Sequence, residues 1–84
     1  MRELSKLPNI GRIVEMQLEN AGIKTIEELK AVGSKAAWLK IRETDPSACI
    51  HRLYGLEGAI RGIKKSSLPE DVKHDLRDFF ESYQ

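Results

Sequence analysis

Apolar residues recur along this chain at steps of three and four. Nowhere do they alternate at the two-residue step of a strand, so every predicted element is a helix. Ile10, Ile13, Val14, Leu18 and Ala21 form the first clear stripe and predict an amphipathic helix from residue 11 or 12 to 21. Gly22 follows it and suits the left-handed position just past a helix end. Upstream, residues 2–6 make a short helix that depends on packing, because one turn has too few hydrogen bonds to stand alone. Pro8 ends it by disfavouring helical backbone at Leu7. Thr25-Ile-Glu-Glu28 is a capping box and predicts a helix over 26–32, with Ile26 and Leu29 inward and Gly33 as its stop. Ser34 then caps a helix over 35–43 that places Ala37, Trp38 and Ile41 on one side. Asp45-Pro46 ends that helix, and Ser47 caps the next.

The longest pattern covers 48–63. Cys49, Leu53, Leu56, Ile60 and Ile63 form its stripe, widened by Ile50 and Tyr54. A second face, Gly55, Gly58, Ala59 and Gly62, carries almost no side chain. Each interior glycine costs about 0.5–1 kcal/mol against alanine, and close approach of a neighbouring helix is the expected reason for them. Ser67-Leu-Pro-Glu70 has capping-box spacing with Pro69 in the first turn, and predicts a last helix over 68–81. Its inward positions are Val72, Leu76, Phe79, Phe80 and Tyr83. With loops this short, the expected fold is all-α: a compact bundle of five to six helices, one domain over 1–84.

Composition agrees. The chain has 84 residues, 40% apolar and 32% charged, as a compact globule requires. The formal net charge is +1 but uneven. Residues 1–65 carry twelve basic against eight acidic side chains, and 66–84 carry two against five. A mildly basic body with an acidic last helix is not the profile of a strong non-specific DNA binder. The single cysteine, Cys49, excludes an internal disulfide. Together with the lack of a membrane-length apolar run or a signal-peptide core, this sets the expectation of a cytoplasmic protein with no membrane contact.

Little in the sequence points to catalysis. His51 and His74 are 23 positions apart, and one cysteine cannot build a structural zinc site. His51 is expected at the surface, and Cys49 as a small buried apolar residue. No nucleophile elbow, Walker loop or dinucleotide fingerprint is present, so the expectation is a non-enzyme without metal or cofactor. Asp71, Asp75, Asp78 and Glu81 line a solvated acidic ridge that could dock a protein. Arg61, Lys64 and Lys65 complement the dipole at the end of the long helix.

The turn Leu7-Pro8-Asn9-Ile10-Gly11 carries the functional expectation. It resembles the helix-hairpin-helix motif, with Asn9 where glycine is usual. Asn9 is expected at positive φ, Ile10 plugs the turn into the core, and Gly11 lets a ligand approach the backbone. The amides near residues 10–13 then face an anion at a helix N-terminus. Lys6, Asn9, Ile10, Gly11, Arg12 and Lys24 are the predicted contact residues for DNA phosphates, without base reading.

A wider resemblance covers residues 4–78. "LPNIGRIVEMQLENAGIKTIEELKAVGSKAAWLKIR", "LYGLEGAIRG" and "LPEDVKHDLR" are similar to the C-terminal domain of the TfoX/Sxy family of bacterial competence regulators. The resemblance implies a five-helix, helix-hairpin-helix-like domain and a part in regulating transcription of DNA-uptake genes. The implied partners are DNA, a transcription regulator such as a cyclic-AMP-responsive activator, and the N-terminal domain that family members carry. The alternative is a protein-interaction module without nucleic-acid contact, using the acidic last helix or the glycine face.

Overall fold

In the computed structural model, residues 3–83 are described, and they form five α-helices and two 3-10 turns, without a strand among them. Leu4–Lys6 is a 3-10 turn rather than a helix, and the part of the expected first helix at Arg2 lies outside the described residues. The α-helices are α1 (Arg12–Asn20), α2 (Ile26–Val32), α3 (Ser34–Thr44), α4 (Ile50–Arg61) and α5 (Glu70–Glu81). The second 3-10 turn, Lys65–Ser67, joins α4 to α5.

The helix ends show which local signals acted. Gly22, at φ 90°, closes α1 with Ile23 N–H donating to Leu18 O at 2.8 Å and Gly22 N–H to Glu19 O at 3.0 Å, a Schellman pair. The capping box of α2 is formed: Glu28 N–H donates to Thr25 Oγ1, and Thr25 N–H to Glu28 Oε1, both at 3.0 Å. Three expected serine caps are not formed. Ser34 is the first residue of α3, and its buried hydroxyl donates to Glu57 Oε1 at 2.5 Å. Ser47 donates to Asp45, while Cys49 stands at the N-cap of α4. Ser67 lies in the 3-10 turn, and α5 starts after Pro69 without a side-chain cap. In each case the hydroxyl or the local backbone is committed elsewhere, a tertiary choice that spacing cannot show.

The core lies around α3 and α4. Trp38 is fully buried, edge-on to Phe79 at 6.0 Å and Phe80 at 5.4 Å between ring centroids, so α5 closes over α3 with its aromatic end. Leu18, Leu29, Leu53, Leu56 and Leu76 complete the centre. Burying each such side chain stabilises the fold by about 1.5–3 kcal/mol. Two expected core positions are instead exposed: Ile13 at 69% and Tyr83 at 44%. Ile13 lies on the outer side of the first turn of α1, and Tyr83 follows the end of α5 with its ring against Phe79. Cys49, expected inside, is also exposed.

The glycine face has a different neighbour from the one expected. A Cβ on Gly58 would stand 2.6 Å from Asn9 Nδ2, 2.7 Å from Ile63 O and 3.2 Å from Lys65 N. A Cβ on Gly55 would stand 3.4 Å from the Cβ of Asn9, ordinary van der Waals contact. The close approach is made by the turn at Asn9 and by the chain leaving α4, not by another helix. Gly62 is no part of that face. At φ 74° it is the left-handed end of α4, with Ile63 N–H donating to Gly58 O at 2.9 Å.

Candidate nucleic-acid interface

Pro8 and Asn9 reverse the chain between the 3-10 turn and α1. Asn9 holds φ 68° and is the one non-glycine residue with positive φ among the described residues. Leu7 is extended, as a residue before proline prefers. Ile10 is buried in the core, and its N–H donates weakly to Leu7 O at 3.4 Å. The arm before the turn is held along α1 by Glu15, a buried carboxylate that accepts the Ser5 N–H at 2.9 Å.

Gly11 is the N-cap of α1, in extended backbone and without a side-chain cap. The first bond of the helix runs from Glu15 N–H to Gly11 O at 3.0 Å. Among the described residues, the amides of Gly11, Arg12, Ile13 and Val14 therefore have no protein acceptor. Gly11, Arg12 and Ile13 are exposed, so these donors open toward solvent at the positive end of a nine-residue helix. Lys6 and Arg12 are exposed beside them, without an ion pair among the described residues.

The predicted contact residues fall into three groups. Lys6, Gly11 and Arg12 meet at the turn with outward-facing groups, and Ile10 serves from below through the core. Asn9 sets the turn, but its side chain is taken up by α4 and the chain leaving it: Nδ2 donates to Gly55 O at 3.3 Å and Ile63 O at 3.0 Å, and Oδ1 accepts the Lys65 N–H at 3.1 Å. Lys24 is not brought to the turn. It follows the far end of α1, whose nine residues rise about 13 Å, and its N–H donates to Glu28 Oε1 at 2.8 Å. The tertiary structure instead brings the Lys65 backbone to the turn, through its N–H to Asn9 Oδ1. No local pattern marks that residue; the asparagine standing where glycine is usual is the one hint that something is held there.

A cleft of about 250 Å³ borders the turn, lined by Asn9, Ile10 and Val14, by His51 and Arg52 in the first turn of α4, and by Lys65. Arg52 is already committed: it donates to Asp45 Oδ2 at 2.7 Å and to Gln17 Oε1 at 3.0 Å. Bonds from Ser47, Arg52 and Gln17 hold the Asp45 carboxyl well below the usual carboxylate range. A larger cleft of about 540 Å³ lies between the start of α3 and α5. Its charges are mostly paired internally, Lys35 with Asp75 at 2.7 Å and Arg61 with Glu57 at 2.6 Å, so it offers less to a ligand than the turn does. No group of three or more metal-ligating side chains occurs among the described residues, and no helix there is long and apolar enough to cross a membrane.

The model of the TfoX C-terminal domain family matches residues 1–80. Protein Sxy of Escherichia coli strain K12 is 34% identical over 79 residues, which are 94% of this chain and 38% of that protein. The chain thus spans well under half the length of this relative. Two crystal structures from Listeria monocytogenes share its fold. An uncharacterized protein in a triclinic form is 52% identical with a TM-score of 0.94, over 95% of this chain and 91% of the other. A protein of unknown function in a tetragonal form is 51% identical with a TM-score of 0.95, over 98% and 100%.

Proposed function

Since the chain belongs to the TfoX C-terminal domain family, we propose that it is a non-enzymatic regulatory module that contacts the phosphate backbone of duplex DNA through its helix-hairpin-helix-like turn. The observation that carries this reading is the run of amides from Gly11 to Val14 without an acceptor among the described residues, in a turn where Gly11, Arg12 and Ile13 are exposed and Lys6 lies nearby. Backbone N–H groups at a helix start favour an anion, and phosphate is the anion that DNA presents at regular intervals. Such contacts carry no base information, so sequence choice would come from a partner, either a transcription regulator or the remaining part of a longer family member.

Exposed Ile13 and Met16, one turn apart on the outer face of α1, favour the second reading, a protein-docking surface. The glycine face of α4 does not support it, because the Asn9 turn covers Gly55 and Gly58.

Titration with duplex DNA at two salt concentrations, followed by amide chemical shifts, tests the first reading. Expected are affinity in the non-specific range of about 10⁻⁴–10⁻⁶ M, a steep loss with salt, and shifts concentrated in residues 8–14. An unmoved spectrum at millimolar DNA removes it and leaves the docking surface.

A further inference from the structure

Asn9 holds a backbone conformation that glycine adopts without strain, so the asparagine needs a reason beyond φ. Its side chain supplies one. Three hydrogen bonds, to Gly55 O, Ile63 O and the Lys65 N–H, tie the turn to the middle and end of α4 and the chain leaving it, more than forty residues downstream. Gly58 makes room for this latch: a Cβ there would meet Asn9 Nδ2 and Ile63 O. The latched segment carries Lys64 and Lys65, both exposed and without an ion pair among the described residues. Lys65 lines the 250 Å³ cleft together with Asn9 and Ile10. Of the other cations there, Arg52 is neutralised by Asp45.

We propose that Asn9 is a positioning residue: its side chain docks Lys65 beside the start of α1, so that two distant segments form one contact surface for neighbouring phosphates of a nucleic-acid strand. This rests on the phosphate-contact reading above and extends it from one turn to two segments. The turn offers fixed amides, and the latched segment adds the Lys65 ammonium, on a residue whose backbone N–H is held by Asn9 Oδ1. Ordering Lys65 in advance lowers the entropy lost on binding.

The test is the slope of log affinity against log salt for duplex DNA. Lys65→Ala is expected to reduce its magnitude by about 0.9, the value of one phosphate contact, and Lys65→Arg to retain it. Asn9→Gly keeps the backbone conformation and removes the latch; it is expected to give the same loss with Lys65 still present. The double variant is expected to lose no more than either single one. A purely structural role for Asn9 predicts a lower melting temperature with an unchanged slope, and that result overturns the proposal. So does an unchanged slope in Lys65→Ala, which reports directly even if Asn9→Gly fails to fold. Wild-type protein that binds no DNA overturns the phosphate-contact reading itself, and this extension with it; binding with insensitive slopes overturns the extension alone.

Discussion

Asn9 and Gly58 are the two side-chain choices on which the turn depends, and they test differently from their neighbours. Gly58→Ala pushes a methyl into Asn9 Nδ2 and Ile63 O. It is expected to destabilise by about 1–3 kcal/mol, the usual cost of overpacking, measured by denaturant unfolding. Gly55→Ala, whose Cβ meets nothing closer than 3.4 Å, is expected to be neutral or to stabilise by up to about 1 kcal/mol through helix propensity. Equal losses at both positions would show that the turn does not lie over Gly58. Cys49 makes a second prediction. Partial burial pushes its thiol up, but the amides of Arg52 and His51 and the Arg52 charge outweigh it and hold the pKa below the ordinary thiol value. In the folded protein the thiol is therefore expected to react with iodoacetamide at neutral pH faster than the same residue in urea. The sequence reading placed this residue inside on its helical spacing. Spacing could not show that the helix begins at Ile50, two residues later than residue 48, which makes Cys49 a cap.

Among the elements, α2 was legible because its signals are local: four consecutive residues carry the whole capping box. Thr25→Ala is expected to cost about 1 kcal/mol, seen as a lowered unfolding midpoint at an unchanged denaturant slope. The serine caps of α3, α4 and α5 were misread because a hydroxyl has several partners within reach and the tertiary structure selects among them, Glu57 for Ser34 and Asp45 for Ser47. Pro69 shows the same limit. It sits just before α5 rather than within its first turn. The stripe of α1 was right at Ile10 and Leu18 and wrong at Ile13. A first-turn residue can project beyond the neighbouring helices even when its phase is correct.

At the level of the whole chain, charged groups join elements that apolar packing alone would leave less closely specified. Asp45 links the α3–α4 loop to α1 through Gln17 and to α4 through Arg52, and Glu57 links α4 to the start of α3. Both carboxyls are held below their ordinary values. Asp45 is lowered first by Ser47; burial of Glu57 pushes it up, but Ser34 and Arg61 outweigh that. A carboxyl whose pKa falls on folding adds stability above its unfolded value and loses it as pH drops toward the folded one. Stability is thus expected to be flat near neutrality and to fall below about pH 4, where unfolded carboxyls take up protons. Asp45→Asn should flatten that acid limb in melting curves recorded from pH 7 to pH 3, and an unchanged limb would remove Asp45 from the account. The all-helical class and the turn at residues 7–11 could be read directly, since each rests on spacings within a few residues, and the family could be read from motifs spread over residues 4–78. The meeting of Asn9 with Gly55, Ile63 and Lys65 could not. It is decided by how α4 packs against the turn, and hydrogen bonds across more than forty residues leave no periodic trace in the chain.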